Sequence, residues 1–286
     1  MVGDRLQSSW GCPHLITFHT MARFKIAARR DHGEDPLRVE EESRLLASCD
    51  GVLVATAAER DQLATSADAV GTPVHLVPLG VDFDHFKPFS GTVEKETTSS
   101  RRAPVILFVG RFDPMKGVET AVKALGLLDD KIKPELHLVG GDGPESQEVD
   151  RLAALVSDLR LQQRVRFAGS VDHQRMPDLY RRADIVVIPS YHESFGLVLL
   201  EALASGIPAA ATPTGVAVET INPGVNGYYA AIGDPESLAR AMTDTLALAR
   251  RQDPFVIRRS VRSYDWSRVA DSVFSVYSGA LLRTEI

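Results

Sequence analysis

The stretch Tyr191–Pro208 constrains this chain more than any other. It follows an apolar run, Ile185-Val186-Val187-Ile188, that breaks off at Pro189-Ser190 and reads as a buried parallel strand. From Ser194 or Phe195 to Ala204 the residues favour a helix, which Gly206 and Pro208 stop. A helix N-terminus with a glycine beside it is an anion site, because its free N–H groups and dipole point at whatever docks there. Two carboxylates bracket the site, Glu193 just before the helix and Glu201 about two turns in. A phosphate on the amides with hydroxyls on the carboxylates suggests a nucleotide-sugar.

The rest of the chain supports a parallel α/β fold. On the amino side, strands are expected at His14–Phe18, Gly51–Thr56 and Val74–Pro78, alternating with helices over Leu37–Ala47 and Ala57–Leu63. Met21–Arg30 reads as a basic helix. Residues 89–104 are polar and aperiodic, the best linker candidate. A second α/β unit follows, with strands at Val105–Val109, Glu135–Val139, Val165–Ala168, Ile185–Ile188 and Pro208–Thr212, then a short turn and strand at Asn226–Tyr229. The expected division is a partial amino-terminal domain over 1–88, the linker, a nucleotide-binding domain over 105–264, and a helix over 265–286 that packs back on the first domain. About three strands are few for a doubly wound domain, so part of the first domain is expected to be missing ahead of Met1.

A length of 286 residues suffices for two domains, and a net charge of −6 gives no general affinity for nucleic acid or anionic membrane. The two cysteines, Cys12 and Cys49, make no metal or CxxC pattern, which fits a reducing compartment. There is no apolar leader and no apolar run of membrane-spanning length. The expectation is a cytoplasmic protein.

Taken alone, Glu193 and Glu201 could be ordinary charges on an amphipathic helix. A second element changes that. Gly110-Arg111-Phe112-Asp113-Pro114-Met115-Lys116-Gly117 leaves a strand and enters a helix, putting Arg111 and Lys116 at the carboxyl edge of the same sheet. Two cations there suit a diphosphate, Arg by a fork of donors and Lys as a point charge. Asp82-Phe83-Asp84 has the form of a metal-binding DxD. Gly140-Gly141-Asp142-Gly143 is not the dinucleotide fingerprint. Arg23, Lys25, Arg29 and Arg30 suit a solvated or substrate-facing helix better than a membrane surface.

With these pieces in view the chain resembles the GT-B glycosyltransferases of family 4, the retaining enzymes that include sucrose-phosphate synthase and the mycothiol glycosyltransferase. The matching segments are Gly110–Gly117, Val139–Glu145, Val165–Val171, Pro189–Pro208 and Asn222–Tyr229, with Phe18–Lys25, Pro36–Thr56 and Val77–Pro88 on the amino side. The resemblance implies two Rossmann-like domains, the first truncated, and transfer of a hexose or N-acetylhexosamine from a nucleotide-sugar (UDP favoured) to a small acceptor. It implies a structural turn before the linker at Asp82-Phe83-Asp84, no cofactor and no metal.

It also implies roles. Arg111 and Lys116 would hold the donor diphosphate and stabilise the leaving charge, beside Gly110. Glu193 would bind sugar hydroxyls, and the amides at Ser194, Phe195, Gly196 and Leu197 would meet the sugar and phosphate. Glu201 would take the ribose, while Gly141, Arg166 and Phe167 would line the nucleoside. His19 would sit by the transferred sugar, and Thr20 and Arg38 match positions that grip a phosphorylated acceptor. The family's paired glycines appear here as Thr214-Gly215, and its amino-terminal glycine-rich loop is absent. Rival expectations are a nucleotide-sugar-binding fragment without activity, an epimerase of the same fold, and a lipid-acceptor mannosyltransferase.

Overall fold

The computed structural model describes residues 2–19, 21–23, 26, 35–65, 71–89, 103–129, 131, 133–141 and 147–284. They fall into two compact units, Met1–Gly80 with Trp266–Ile286, and Val81–Asp265.

The first unit holds a parallel sheet of three strands in the order β1 (Leu15–Thr17), β2 (Gly51–Val54), β3 (Val74–Leu76). The middle strand, Gly51-Val52-Leu53-Val54, is buried along its whole length, as a strand paired on both sides and covered on both faces must be. Helix α1 (Val2–Trp10) precedes it. Helix α2 (Pro36–Ser48) starts where the Asp35 carboxylate accepts from the Leu37 amide and Pro36 fills the first turn. Helix α3 (Ala57–Ala64) is set by a capping box between Thr56 and Glu59. The last helix of the chain, α11 (Trp266–Thr284), belongs to this unit. Its Val269 is buried with Leu53 and Val77, and Leu15, Val273 and Val276 pack around them.

The second unit is built on six parallel strands: β4 (Val105–Gly110), β5 (Glu135–Gly140), β6 (Val165–Gly169), β7 (Ile185–Ile188), β8 (Ala209–Ala211) and β9 (Gly227–Tyr229). Their spatial order is β6-β5-β4-β7-β8-β9. The chain thus begins in the middle of the sheet, winds out to β6, then returns to lie on the other side of β4. Between β4 and β7 the winding reverses. In open parallel sheets the crevice beyond the carboxyl ends of two such strands is where ligands sit.

The intervening helices are α4 (Val118–Gly126), α5 (Gln147–Asp158), α6 (Met176–Arg182), α7 (Leu197–Ala204), the single turn α8 (Ala217–Thr220), α9 (Pro235–Ala249) and α10 (Pro254–Arg259). Ile106, Phe108, Leu136, Leu138, Ile185 and Val187 form one core with Leu125 of α4, Leu152 of α5 and Met242 of α9. Helix α7 begins at Leu197, later than its composition suggests. Gly196 before it has φ +104°, a left-handed backbone that interrupts the helical run and excludes Ser194 and Phe195. The strands of this unit lie within a residue of their expected positions, whereas the short helices α8 and α10 were not expected.

Candidate active site

The site residues of the second unit gather on the loops leaving β4 and β7. After Gly110, Arg111 is exposed and Phe112 turns into the core. The Asp113 carboxylate accepts from the Met115 amide at 2.8 Å and caps a short 3-10 turn, Pro114–Lys116. Gly117 ends that turn with φ +68°, and a Cβ on it would lie 2.1 Å from the Pro189 carbonyl oxygen at the end of β7. Tyr191 N–H completes the contact by donating to the Met115 carbonyl at 2.8 Å. The two loops are therefore joined backbone to backbone, which fixes where Lys116 points.

Lys116 Nζ lies 2.8 Å from both carboxylate oxygens of Glu193. Ser190 Oγ donates to Glu193 Oε1 at 2.7 Å, and the Ser190 carbonyl in turn accepts from Thr212 Oγ1 at 2.6 Å. The side chains of Lys116 and Glu193 are 27% and 14% exposed, so the pair is shielded but reachable from solvent. Arg111 is different: its side chain is 68% exposed and Asp113 Oδ2 is 3.8 Å away. The end of β4 thus presents one cation neutralised by a carboxylate and one turned largely to solvent.

On the far side of Glu193 the backbone at Ser194–Gly196 is held by the loop after β8. The Phe195 carbonyl accepts from Val216 N–H at 2.6 Å, and the buried Phe195 ring meets Tyr264 edge-on. Gly215, with φ +53°, places its Cα hydrogen where a Cβ would be 2.3 Å from that carbonyl. Of the glycine pair that the family pattern leads one to expect, the position that demands glycine is the one that has it. Thr214 bonds instead through its amide, to the Thr212 carbonyl.

Glu201 stands on α7 with its carboxylate 12% exposed. Tyr180, buried on α6, donates to Oε2 at 2.7 Å, and His173 Nε2 lies 3.2 Å from Oε1. Burial and the neighbouring carboxylate push the Tyr180 hydroxyl well above its ordinary pKa. Sequence reasoning missed both partners. Tyr180 reads as one apolar position of a short helix, and only the packing of α6 on α7 shows what its hydroxyl meets.

On the β5 side, Gly141 has φ +86° and would bring a Cβ within 2.9 Å of the Phe112 ring. Phe167 in β6 meets Phe112 edge-on, their centroids 6.3 Å apart. Residues 142–146 lie outside the described residues. Arg166 is not brought into this group. It pairs across the sheet with His137 and its guanidinium bonds Glu135, the first residue of β5, toward the amino end of the sheet. The Arg166 guanidinium and, after it, His137 hold the Glu135 carboxyl below the usual range.

In the first unit, His19 is exposed just past β1. Arg38 lies on α2 and donates through Nε to Glu42 Oε1 at 2.8 Å. Glu42 is buried and also accepts from the Ala22 amide. Thr20 and Lys25 lie outside the described residues, as do Arg29 and Arg30. Asp82 of the expected turn does act as one: its Oδ1 accepts from the amides of Asp84 and His85. Among the described residues no group of three or more His, Cys, Asp or Glu is placed to hold a metal ion, and no helix is long and apolar enough to cross a membrane.

Residues 91–256, more than half of the chain, match the family model for glycosyl transferases group 1. The chain belongs to that family. It is 33% identical over 297 residues to the D-inositol 3-phosphate glycosyltransferase of Salinispora tropica, covering 98% of this chain and 62% of that protein. It superposes on the sucrose-phosphate synthase of Thermosynechococcus elongatus with TM-score 0.80 at 29% identity, over 97% of this chain and 70% of that one. HepE of Anabaena, solved in complex with UDP, shares the fold with TM-score 0.78 at 20% identity, over 97% and 75%. The GT-B architecture implied by the sequence motifs is thus the one this group 1 chain adopts, over about three-fifths of the length of the inositol phosphate relative.

Proposed function

We propose that this chain is a retaining glycosyltransferase that moves a hexose or N-acetylhexosamine from a nucleoside diphosphate sugar, UDP-sugars first, to a small phosphorylated acceptor such as an inositol phosphate. The observation that carries the reading is the Lys116–Glu193 pair at the reversal between β4 and β7, with Arg111 beside it. An anion docking at that crevice meets one cation already facing solvent and a second held by a carboxylate. A diphosphate takes over Lys116 from Glu193, and the released carboxylate accepts hydroxyls of the sugar. The carboxylate thereby exchanges an ammonium partner for neutral hydroxyl donors, so it stays hydrogen-bonded while the ammonium pairs with the diphosphate. Arg111 and Lys116 then stabilise the negative charge that grows on the leaving diphosphate, so the two side chains supply the electrostatic part of catalysis without a metal. Glu201 accepts the ribose hydroxyls, and Gly141 and Phe167 border the nucleoside. His19 adjoins the transferred sugar. The 33% identical relative named for D-inositol 3-phosphate supports a phosphorylated acceptor, for which Thr20 and Arg38 are the candidates.

The test is transfer by the full chain from UDP-glucose and UDP-N-acetylglucosamine to inositol phosphates in the presence of EDTA, with the anomeric configuration of the product read by NMR. An inverted product, or dependence on added divalent metal, overturns the corresponding part of the reading. A second reading is favoured by one fact, that Arg111, Lys116, Glu193 and Glu201 all lie in the second unit: that unit binds nucleotide-sugar and the chain does not transfer it. Calorimetric binding of UDP-glucose with no product at any acceptor establishes that alternative.

A further inference from the structure

Both oxygens of Glu201 are occupied, and their two partners differ in kind. Tyr180 donates to Oε2 from a fully buried position, its ring packed edge-on against Phe86. Nothing on that side can be exchanged without opening the contact of α6 with α7. His173 covers Oε1 from a short 3-10 turn, His173–Arg175, that follows β6, and its side chain is 64% exposed. A pair of vicinal hydroxyls arriving at Glu201 therefore has one oxygen to compete for, and His173 is the group in the way.

We propose that His173 is a displaceable gate on the ribose subsite and that Tyr180 is the fixed positioning residue behind it. The proposal rests on the reading of Glu201 as the carboxylate that takes the donor ribose. With His173 neutral, its hydrogen bond to Oε1 is exchanged for a ribose hydroxyl at little cost. With His173 protonated, the bond is charge-assisted and roughly twice as strong, and the oxygen is withheld. Histidine is the side chain that makes this change in the physiological range. The gate thus weakens donor binding as pH falls.

The surroundings of His173 are consistent with that sign. The groups facing it are Glu201 from α7, Tyr180 from α6, and His85 from the turn that Asp82 caps; Asp172 and Arg175 flank it in its own turn. His85 stacks on the His173 ring with centroids 5.7 Å apart, and its Nε2 lies 3.3 Å from the His173 carbonyl oxygen. It engages the backbone and does not compete for Glu201. The Asp172 carboxylate is used on the Gln174 amide. Glu201 is thus the carboxylate directly bonded to the imidazole.

The experiment is calorimetric titration of the full chain with UDP-glucose, whose pyrophosphate does not change charge in this range, at a series of pH values across the histidine range. Wild type should lose roughly five-fold in affinity from the alkaline to the acid end. His173→Gln, which can still cover Oε1 but cannot be protonated, should hold one affinity throughout. Tyr180→Phe should weaken binding at every pH while keeping the wild-type slope. Circular dichroism of each variant at both ends of the series separates a lost fold from a lost gate. Parallel curves for wild type and His173→Gln overturn the gate alone. If Glu201→Gln binds as tightly as wild type, the ribose assignment falls and the gate with it. If UDP-glucose fails to bind at any pH, the donor reading itself fails.

Discussion

The Lys116 ammonium nitrogen lies equidistant, at 2.8 Å, from the two carboxylate oxygens of Glu193, and the two residues come from opposite sides of the reversal in strand order. The arrangement makes each side chain the placeholder for the other's ligand. Lys116→Met should therefore separate chemistry from folding. Loss of one preorganised charge at a leaving group costs about 10²–10³-fold in kcat. The fold should lose only about 1 kcal/mol, because the pair is partly solvated and Glu193 keeps its bond to Ser190. Steady-state kinetics and a urea melt on the same preparation check both numbers. A kcat within three-fold of wild type would remove Lys116 from the catalytic machinery.

Two glycines at the ends of helix α4 should respond to alanine in opposite directions. At Gly117 the backbone is left-handed and the new Cβ would meet the Pro189 carbonyl oxygen at 2.1 Å. Gly117→Ala should destabilise by about 1–3 kcal/mol and disturb the loop that carries Lys116, so activity falls with it. At Gly126, the last residue of α4, the new Cβ would make an ordinary 3.6 Å contact with Leu161. Gly126→Ala should stabilise by about 0.5–1 kcal/mol, chiefly by restricting the unfolded chain, and leave kinetics unchanged. Denaturant midpoints of the two variants give the comparison directly.

The contrast between those glycines shows what the sequence carried. Glycines, prolines and apolar runs are local signals, so the strands of the second unit and the cations after β4 were legible from spacing alone. The sheet order was not legible from them. What local signals cannot show is which side chains meet across elements. The resemblance put Arg166 beside Phe167 at the nucleoside, yet side chains alternate along a strand and Glu135 on the neighbouring strand bonds its guanidinium. Likewise His173 and Tyr180 carry no motif, and only the three-dimensional approach of α6 and the preceding turn to α7 brings them to Glu201.

Arg258 offers a test of how the turn at residues 82–89 is held. Its Nη1 donates to the carbonyls of Phe86 and of Ala204, the latter at 2.7 Å, and its Nη2 donates to the Phe83 carbonyl at 2.6 Å. The guanidinium also sits 4.5 Å over the Phe83 ring. It thereby ties the turn bearing His85 and Phe86 to the last residue of α7, the helix of Glu201. Arg258→Leu keeps much of the apolar stem but leaves three carbonyls without their donor, so a loss of about 3 kcal/mol is expected. Arg258→Lys should recover only part of it, because one ammonium cannot span the three oxygens with the geometry of a fork. Thermal unfolding of the three proteins under one buffer condition ranks them; equal stability of the Leu variant would show that the turn is held by other contacts.

The tyrosines set an alkaline limit on the second unit. Burial, then the charge and hydrogen bond of Glu219, push the Tyr264 hydroxyl up to about 12. Burial raises Tyr180 well above its usual value, with Glu201 adding to the effect, and burial alone raises Tyr229. Each folded-state hydroxyl holds its proton more tightly than the unfolded one, whose pKa is about 10. The stability that follows is therefore fully present below pH about 10, and is lost as pH rises from there through the folded values. Nothing from these groups should change between neutrality and about pH 9. Urea midpoints should hold over that range and then fall. Tyr264→Phe removes one of the three terms, so its midpoint should decline less steeply above pH about 10 than that of wild type, while the edge-on contact with Phe195 is kept. If wild type and Tyr264→Phe decline in parallel, Tyr264 ionises as readily in the folded protein as in the unfolded chain, and its burial against Phe195 is not what the geometry indicates.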